Sequence, residues 1–271
     1  MPELPEIETI KRALGPRIVG RRIEAVEVLW AGTVRNPSSE DLRRGLIGRI
    51  VEALERRGKY LLFRLAGDGT LIFHLKMTGV LLLRSDADPP TLHTRAILRF
   101  EGGTALHFVD QRKFGRIWLV EREERVLGKL GPEPLGEGFS ESVLRAVTRK
   151  RRLPIKALLC DQAAIAGIGN MWADEALFES GIHPQKAAGD LSEREVKALH
   201  RAIRAVLARG IERRGASVDT YRDPDGEPGA AQTEFRVAHR RGQSCPRCGS
   251  SLGYTKVRGR GTCFCPRCQK L

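Results

Sequence analysis

Met1-Pro2-Glu3-Leu4-Pro5-Glu6-Ile7-Glu8 opens the chain, and the rest of the sequence takes its meaning from how these residues are read. Two readings stay open from the residues alone. Proline at a first helical position, followed by acids, is a common helix start: its missing N–H costs nothing there, and carboxylates suit the positive end of the helix dipole. Ile7, Ile10 and Leu14 fall on one face of that helix, and Gly15-Pro16 stops the run. In the other reading, loss of the initiator methionine leaves Pro2 as the N-terminus. Its secondary amine titrates near pH ~8, so a useful fraction is neutral and nucleophilic at neutral pH. Attack on a carbonyl-like carbon gives an iminium cation, an electron sink for covalent catalysis. Glu3 beside it could take or hold the proton.

Outward from this start the sequence is strand-rich. Residues 22–29 alternate, and short apolar runs at 60–65, 71–75, 80–83, 96–100, 106–109 and 117–120 are separated by Gly or Asp turns. Gly67-Asp68-Gly69 and Gly102-Gly103 read as hairpin connections. This spacing predicts a two-layer β-sandwich or flattened barrel that carries the leading helix. Composition changes at residues 128–138, where Gly131-Pro132-Glu133-Pro134 reads as a linker.

Beyond the linker the pattern is helical. One helix begins over 154–161 and a second spans 170–180, closed by Gly181 and Pro184. Ser192-Glu193-Arg194-Glu195 is a capping box for a long helix that turns Val196, Leu199, Ile203, Val206, Leu207 and Ile211 inward and ends at Gly215. Gly167-Ile168-Gly169-Asn170 is a glycine-rich turn at a helix N-terminus, suited to a phosphate, although a tight helix–turn–helix needs glycines anyway. Residues 217–232, rich in Asp, Gly and Pro, read as a mobile loop.

At 271 residues the chain can form two domains with separate cores, and 41% hydrophobic content suits a globular protein. A net charge of +14 points to a polyanionic partner. From Thr233 to Leu271 nine Lys/Arg stand against one acid, Glu234, so this tail holds +8 of that charge, which argues for nucleic acid. A membrane is the rival polyanion, but no basic amphipathic helix supports it, and the apolar runs are too short to span one. The acidic start lacks the features of a secretory signal, so a cytoplasmic location is expected.

Six cysteines in such a setting favour metal over disulfides. Cys245-Pro246-Arg247-Cys248 and Cys265-Pro266-Arg267-Cys268 are two C-x₂-C knuckles with 16 residues between them. Four thiolates suit tetrahedral Zn²⁺, and a closed shell of four sulfurs makes the metal structural; an iron–sulfur cluster is the alternative. Cys263 is a fifth candidate without the knuckle spacing, and Cys160 lies in an apolar helix as a core residue. Lys256, Arg258 and Arg260 are what so small a finger would present.

Taken together, MPELPEIE at 1–8, RRGKYLL at 56–62, HLKMTG at 74–79, DQRKFGR at 110–116, LGPEPL at 130–135, GIGNMWADEALF at 167–178 and the finger with GRGT at 259–262 resemble, end to end, the bacterial formamidopyrimidine-DNA glycosylases of the Fpg/Nei family. Leu4-Pro5 favours the Fpg branch. The resemblance implies an α+β protein. Residues 1–133 would form the catalytic β-sandwich, 134–241 a helix–two-turn–helix DNA-binding domain with a lesion loop at 217–232, and 242–271 a zinc finger. It implies a glycosylase and abasic-site lyase that removes 8-oxoguanine and formamidopyrimidines from duplex DNA. Pro2 would attack C1′, and β- and δ-elimination would follow. Glu3 would be the acid/base, Glu6 a supporting carboxylate, and Lys59 and Arg260 further catalytic residues at the lesion and its phosphates.

Because the damaged base must leave the helix, something must fill its place. The resemblance gives Met77 and Phe114 as apolar wedges and Arg112 as the partner of the orphaned base, with His74, Lys156 and Asn170 on DNA phosphates. It further implies one structural Zn²⁺ on Cys245, Cys248, Cys265 and Cys268, a monomer, and action on the nucleoid of a bacterial cytoplasm. Departures from the family pattern are Gln111 and Lys113 around Arg112, Ala238-His239 in place of Tyr-Gly, and Ala231 in place of an aromatic, which bear on base preference more than on chemistry. Two rivals are the same chemistry directed at oxidised pyrimidines, and a zinc-ribbon DNA-binding protein without catalysis in which Pro2 only starts a helix.

Overall fold

Helix α1 runs Leu4–Ile18 in a computed structural model that describes residues 1–271. Glu3 is its N-cap and forms a reciprocal capping box with Glu6, and Pro5 sits in the first turn. The helix passes through Gly15-Pro16 where the sequence predicts a stop. Pro16 forfeits one hydrogen bond in the last turn, and burial of Ile18 in the core holds that turn in place.

The first compact unit comprises Met1–Gly128 and Arg213–Gln232. One sheet has four strands in the order β1 (Ile23–Val28), β7 (Thr94–Phe100), β8 (Thr104–Asp110), β6 (Gly79–Ser85). The other has five, in the order β2 (Val34–Asn36), β9 (Arg116–Val120), β5 (Thr70–His74), β4 (Tyr60–Leu65), β3 (Val51–Arg57). Leu61, Phe63, Leu71 and Phe73 of one sheet and Leu81, Leu98, Leu106 and Phe108 of the other share one core with Ile7, Ile10, Leu14 and Ile18 of α1. The Phe73 and Phe108 rings meet edge-on at 5.7 Å across it. This is the expected sandwich with its leading helix, and both glycine turns close hairpins.

Helix α2 (Ser39–Leu46) and edge strand β3 fall in a stretch without the periodicity that marks the other elements. The α2 start is capped by Ser38, whose hydroxyl accepts the Asp41 N–H, and Leu42 and Leu46 anchor it. In β3 only Val51 is fully buried, so its charged faces hide the strand. A short helix α3 (Glu124–Leu127) follows β9.

Arg213–Gln232 differs from the sequence expectation, which keeps 217–232 with the helical half. Here it packs into the first unit for a physical reason: Tyr221 is buried in the sandwich core, Leu83 N–H donates to Pro224 O at 2.8 Å, and Arg17 pairs with Asp225. The loop is also bonded internally, with Asp223 accepting from the N–H groups of Asp225 and Glu227.

The second unit, Lys129–Glu212 with Thr233–Leu271, holds α4 (Glu141–Thr148), α5 (Ile155–Leu159), α6 (Asn170–Ser180) and α7 (Glu193–Glu212). Gly181, with φ +73°, ends α6 as its sequence predicts. Ser192 and Glu195 exchange the capping-box bonds that start α7. The hairpin of β10 (Gly253–Val257) and β11 (Arg260–Phe264) carries the finger, which packs on α6 through Phe178, Val237, Leu252 and Cys263. No helix is long and apolar enough to cross a membrane.

Candidate active site

Pro2, Glu3 and Glu6 are all buried at the start of α1, while Met1 is partly exposed. The Glu6 carboxylate bridges two segments: Oε2 accepts the Glu3 N–H and Oε1 the Ala216 N–H, each at 2.8 Å. Gly215 makes that approach possible. Its φ is +77°, and a Cβ there would lie 2.9 Å from Glu6 Cγ. Burial, and then the charge of Glu3, push the Glu6 carboxyl up to about 7 against the backbone N–H groups of Ala216, Glu3 and Glu6 that lower it. The terminus therefore lies against two buried carboxylates, one of which can carry a proton at neutral pH.

Lys59 is buried at the β3–β4 turn, where Gly58 takes φ +57°. Burial, then the charges of Lys76 and Lys59, push His74 down to about 3, so the ring is neutral. His74 Nδ1 accepts the Lys76 N–H at 3.0 Å, which leaves the ring proton on Nε2 as a donor. Met77, on the β5–β6 connection, and Phe114, on the β8–β9 connection, are 39% and 44% exposed. Apolar side chains this exposed in a protein with a well-filled core are available for contact. Arg112 stacks its guanidinium over Phe114 at 4.8 Å. A cleft of about 430 Å³ lined in part by Met1, Met77, Phe114 and the cations Arg35, Lys76 and Arg116 brings the chain start beside both exposed apolar side chains. No carboxylate lines it, so it is positive.

In the second unit Asn170 starts α6, and its Nδ2 donates to Gly261 O at 3.0 Å. Arg260, exposed on the neighbouring residue of β11, is aimed by the tight turn at Arg258 and Gly259, both with positive φ. Cys245, Cys248, Cys265 and Cys268 bring their sulfurs within 4.8 Å of one another, with Cys248 and Cys265 at 3.5 Å and Cys245 and Cys268 at 4.0 Å. Zn–S bonds of about 2.3 Å in a tetrahedron put sulfurs about 3.8 Å apart, so the donor set fits one Zn²⁺. Cys263 lies outside the cluster with its N–H on Asp174, and Cys160 is buried in the core.

The formamidopyrimidine-DNA glycosylase N-terminal domain matches residues 1–117, the H2TH domain of the same enzymes residues 130–222, and a zinc finger found in FPG and IleRS residues 242–271. A formamidopyrimidine-DNA glycosylase of Desulfitobacterium hafniense is 44% identical over 273 residues, covering 99% of this chain and 100% of that one. The chain belongs to the formamidopyrimidine-DNA glycosylase family. As a glycosylase of this family it acts on oxidised purines in DNA during base excision repair, and its finger holds zinc. The Pelotomaculum thermopropionicum relative is 43% identical with both chains fully covered. Among solved structures, wild-type Lactococcus lactis Fpg (MutM) bound to DNA containing N7-benzyl-Fapy-dG is 36% identical, with TM-score 0.93 and full coverage of both chains. The L. lactis enzyme with abasic-site DNA gives 37% and 0.93, covering 99% of this chain and 100% of that one.

One expected contact of the glycosylase is corrected by the geometry. Lys156, read as a phosphate ligand, is fully buried: its ammonium donates to Gly261 O and Thr262 Oγ1 at 2.8 Å and pairs with Asp174 Oδ1 at 2.6 Å. It has no exposed surface to offer DNA. Lys156 instead fixes the strand that carries Arg260, sharing the Gly261 carbonyl with Asn170.

The sequence does not single out Asp110 and Thr78, which are hydrogen-bonded to one another at 2.5 Å between the loops of Met77 and Phe114, although both lie inside motifs quoted above. It also passed over Glu175, whose carboxylate accepts the N–H groups of Arg236, Val237 and Ala238 at 2.8–3.1 Å. A third omission is Arg247, which clamps the finger to the α6 end through Phe178 O at 3.2 Å and the Phe178 ring at 4.6 Å.

Proposed function

We propose that this glycosylase works through the amine of Pro2 after Met1 is removed, and that it is also an abasic-site lyase. The neutral amine attacks C1′ of the damaged nucleotide, and the C1′–N bond breaks as the base leaves with its electrons and gains a proton. Opening of the sugar ring gives an iminium to Pro2. Loss of a C2′ proton then expels the 3′-oxygen, a second elimination expels the 5′-oxygen, and water releases the sugar remnant. The buried acids at the chain start support this sequence, since an amine nucleophile needs a neighbour that can hold a proton near pH 7.

In this reading Glu3 is the acid/base and Glu6 its proton-holding support. Lys59, the His74 Nε2–H, Asn170 and Arg260 bind phosphates, while Met77, Phe114 and Arg112 fill the space left by the flipped nucleotide. Residues 1–133 carry the chemistry, 134–241 hold the duplex with 217–232 over the damaged base, and 242–271 add the finger. The enzyme works as a monomer on the nucleoid in a bacterial cytoplasm.

The observation that carries the proposal is the burial of Pro2 against Glu3 and Glu6 in a chain aligned with this family from end to end. The test is Pro2→Gly. Excision of 8-oxoguanine should fall at least about a hundredfold, the scale of a lost catalytic group, while duplex affinity stays near wild type. Excision at the wild-type rate refutes the amine as nucleophile.

A further inference from the structure

The two loops that carry Met77 and Phe114, β5–β6 and β8–β9, each cross from one sheet to the other, and strand pairing holds only their mouths, His74 against Arg116 and Gly79 against Asp110. One buried carboxylate joins them. Asp110, 1% exposed at the end of β8, accepts the Thr78 hydroxyl on Oδ1 at 2.5 Å and the Arg112 N–H on the same oxygen at 3.2 Å. Oδ2 accepts the Gly115 N–H at 2.7 Å. Thr78 Oγ1 in turn accepts the Arg112 N–H at 3.2 Å, so the residue after Met77 is bonded both to the head of the other loop and to its arginine. The Asp110 main chain is itself pinned to β7, where Arg95 Nε donates to its carbonyl at 2.8 Å and its own N–H donates to His93 O at 2.9 Å.

Two further features fit a built device. Lys76 and Lys113, each the residue before a wedge, take left-handed φ values of 53° and 61°, a conformation lysine adopts only when the surroundings impose it. Gly115 leaves no room for a side chain, since a Cβ would lie 2.3 Å from Phe108 Cζ and 3.1 Å from Asp110 Oδ2. A carboxylate suits this place because every partner is a donor; an amide would turn an N–H₂ toward one of them.

We propose that Asp110 and Thr78 are positioning residues that lock the Met77 and Arg112–Phe114 loops into a single unit, so that the wedges enter the duplex together. Neither touches the reacting atoms. The proposal rests on the wedge reading of Met77 and Phe114 given above, and its test separates the two.

Single-turnover excision of 8-oxoguanine is measured for Met77→Ala, Phe114→Ala and their combination, in the wild-type background and in Thr78→Val. The latter removes only the hydroxyl that crosses between loops and leaves the Asp110 carboxylate in place. With Thr78 present, the two alanine effects should depart from additivity by at least about fivefold; with Thr78→Val the departure should shrink to about twofold or less. Asp110→Asn should abolish it too. Amide exchange gives a readout that needs no DNA: in Thr78→Val the Arg112 N–H should exchange at least about tenfold faster while Gly115 is unchanged, and in Asp110→Asn both should accelerate. Undiminished coupling in Thr78→Val, or unchanged Arg112 exchange, overturns the locking role alone. Wild-type excision by the Met77→Ala/Phe114→Ala combination overturns the wedge reading, and this proposal with it.

Discussion

The two units of the enzyme bury charge in opposite ways. At the start of α1 two carboxylates, Glu3 and Glu6, lie together, and burial raises Glu6 to about 7. In the second unit Asp174 has an ammonium, Lys156, at 2.6 Å: burial pushes Asp174 up to about 7 as well, but Lys156 pulls the other way. The first arrangement costs stability and leaves a proton available for transfer, as functional sites commonly do. The second is closed, and what it delivers is a fixed position for Arg260 and the Gly261 carbonyl.

Breaking the closed side should have the largest effects. Chelation of zinc should unfold residues 242–271, because metal binding supplies the folding energy of a Cys₄ finger, about 10 kcal/mol or more. Circular dichroism should show the loss, and affinity for any duplex should fall by orders of magnitude; unchanged affinity after chelation would contradict this. Lys156→Met should strip Asp174 of its partner and destabilise the second unit by about 3–5 kcal/mol. Lys156→Met/Asp174→Asn should recover most of that in urea unfolding. No recovery would mean that the pair does more than neutralise itself.

The open side makes a prediction in pH. The folded protein binds the Glu6 proton more tightly than the unfolded chain does. Its contribution, about 3 kcal/mol for a carboxyl moved from 4.5 to about 7, is fully present below pH 4.5 and lost as pH rises through 7. Glu8 acts oppositely. Burial alone would raise it, but hydrogen bonds from Lys11 and Arg12 and the charges of Lys11 and Arg56 bring it to about 2, so its stabilisation is present above pH 4.5 and lost as pH falls through 2. Asp174, also pushed up to about 7, loses stability over the same window, so Glu6→Gln should remove part of the fall in melting temperature between pH 5 and 8 and leave the acid limb as it was; an unaltered profile would sink the assignment. The smallest effect is expected at Arg260→Ala, which should lower the slope of log K against log salt by about 1 for every duplex alike. A slope equal to wild type would remove Arg260 from the phosphates.

What could be read from the sequence was local. Alternation and glycine turns gave seven of the strands, Asn170–Ser180 came with its Gly181 stop, and Ser192–Glu195 capped α7 where expected. The knuckle spacing brought the four sulfurs together. Strand β3 escaped because its outward residues are charged, and α2 because only Leu42 and Leu46 mark its inner face. At the site, identity was legible and environment was not. Lys156 reads as a surface cation until Gly261 and Thr262, over a hundred residues away, close around it. Glu6 reads as one more acid of a helix start until the Ala216 N–H and the walls of the core show why its proton is held. Asp110 has no mark of its own in the sequence, because its bond to Thr78 joins two loops more than thirty residues apart.

The central claim is that the first residue of the mature chain does the chemistry. The direct measurement is the intact mass of the purified enzyme, followed by borohydride reduction on an 8-oxoguanine duplex and mapping of the modified peptide. The account predicts a chain lacking Met1 and a reduced sugar adduct on Pro2. A chain that keeps Met1 and still cuts oxidised DNA at full rate, or an adduct carried by Lys59 in place of Pro2, would contradict it.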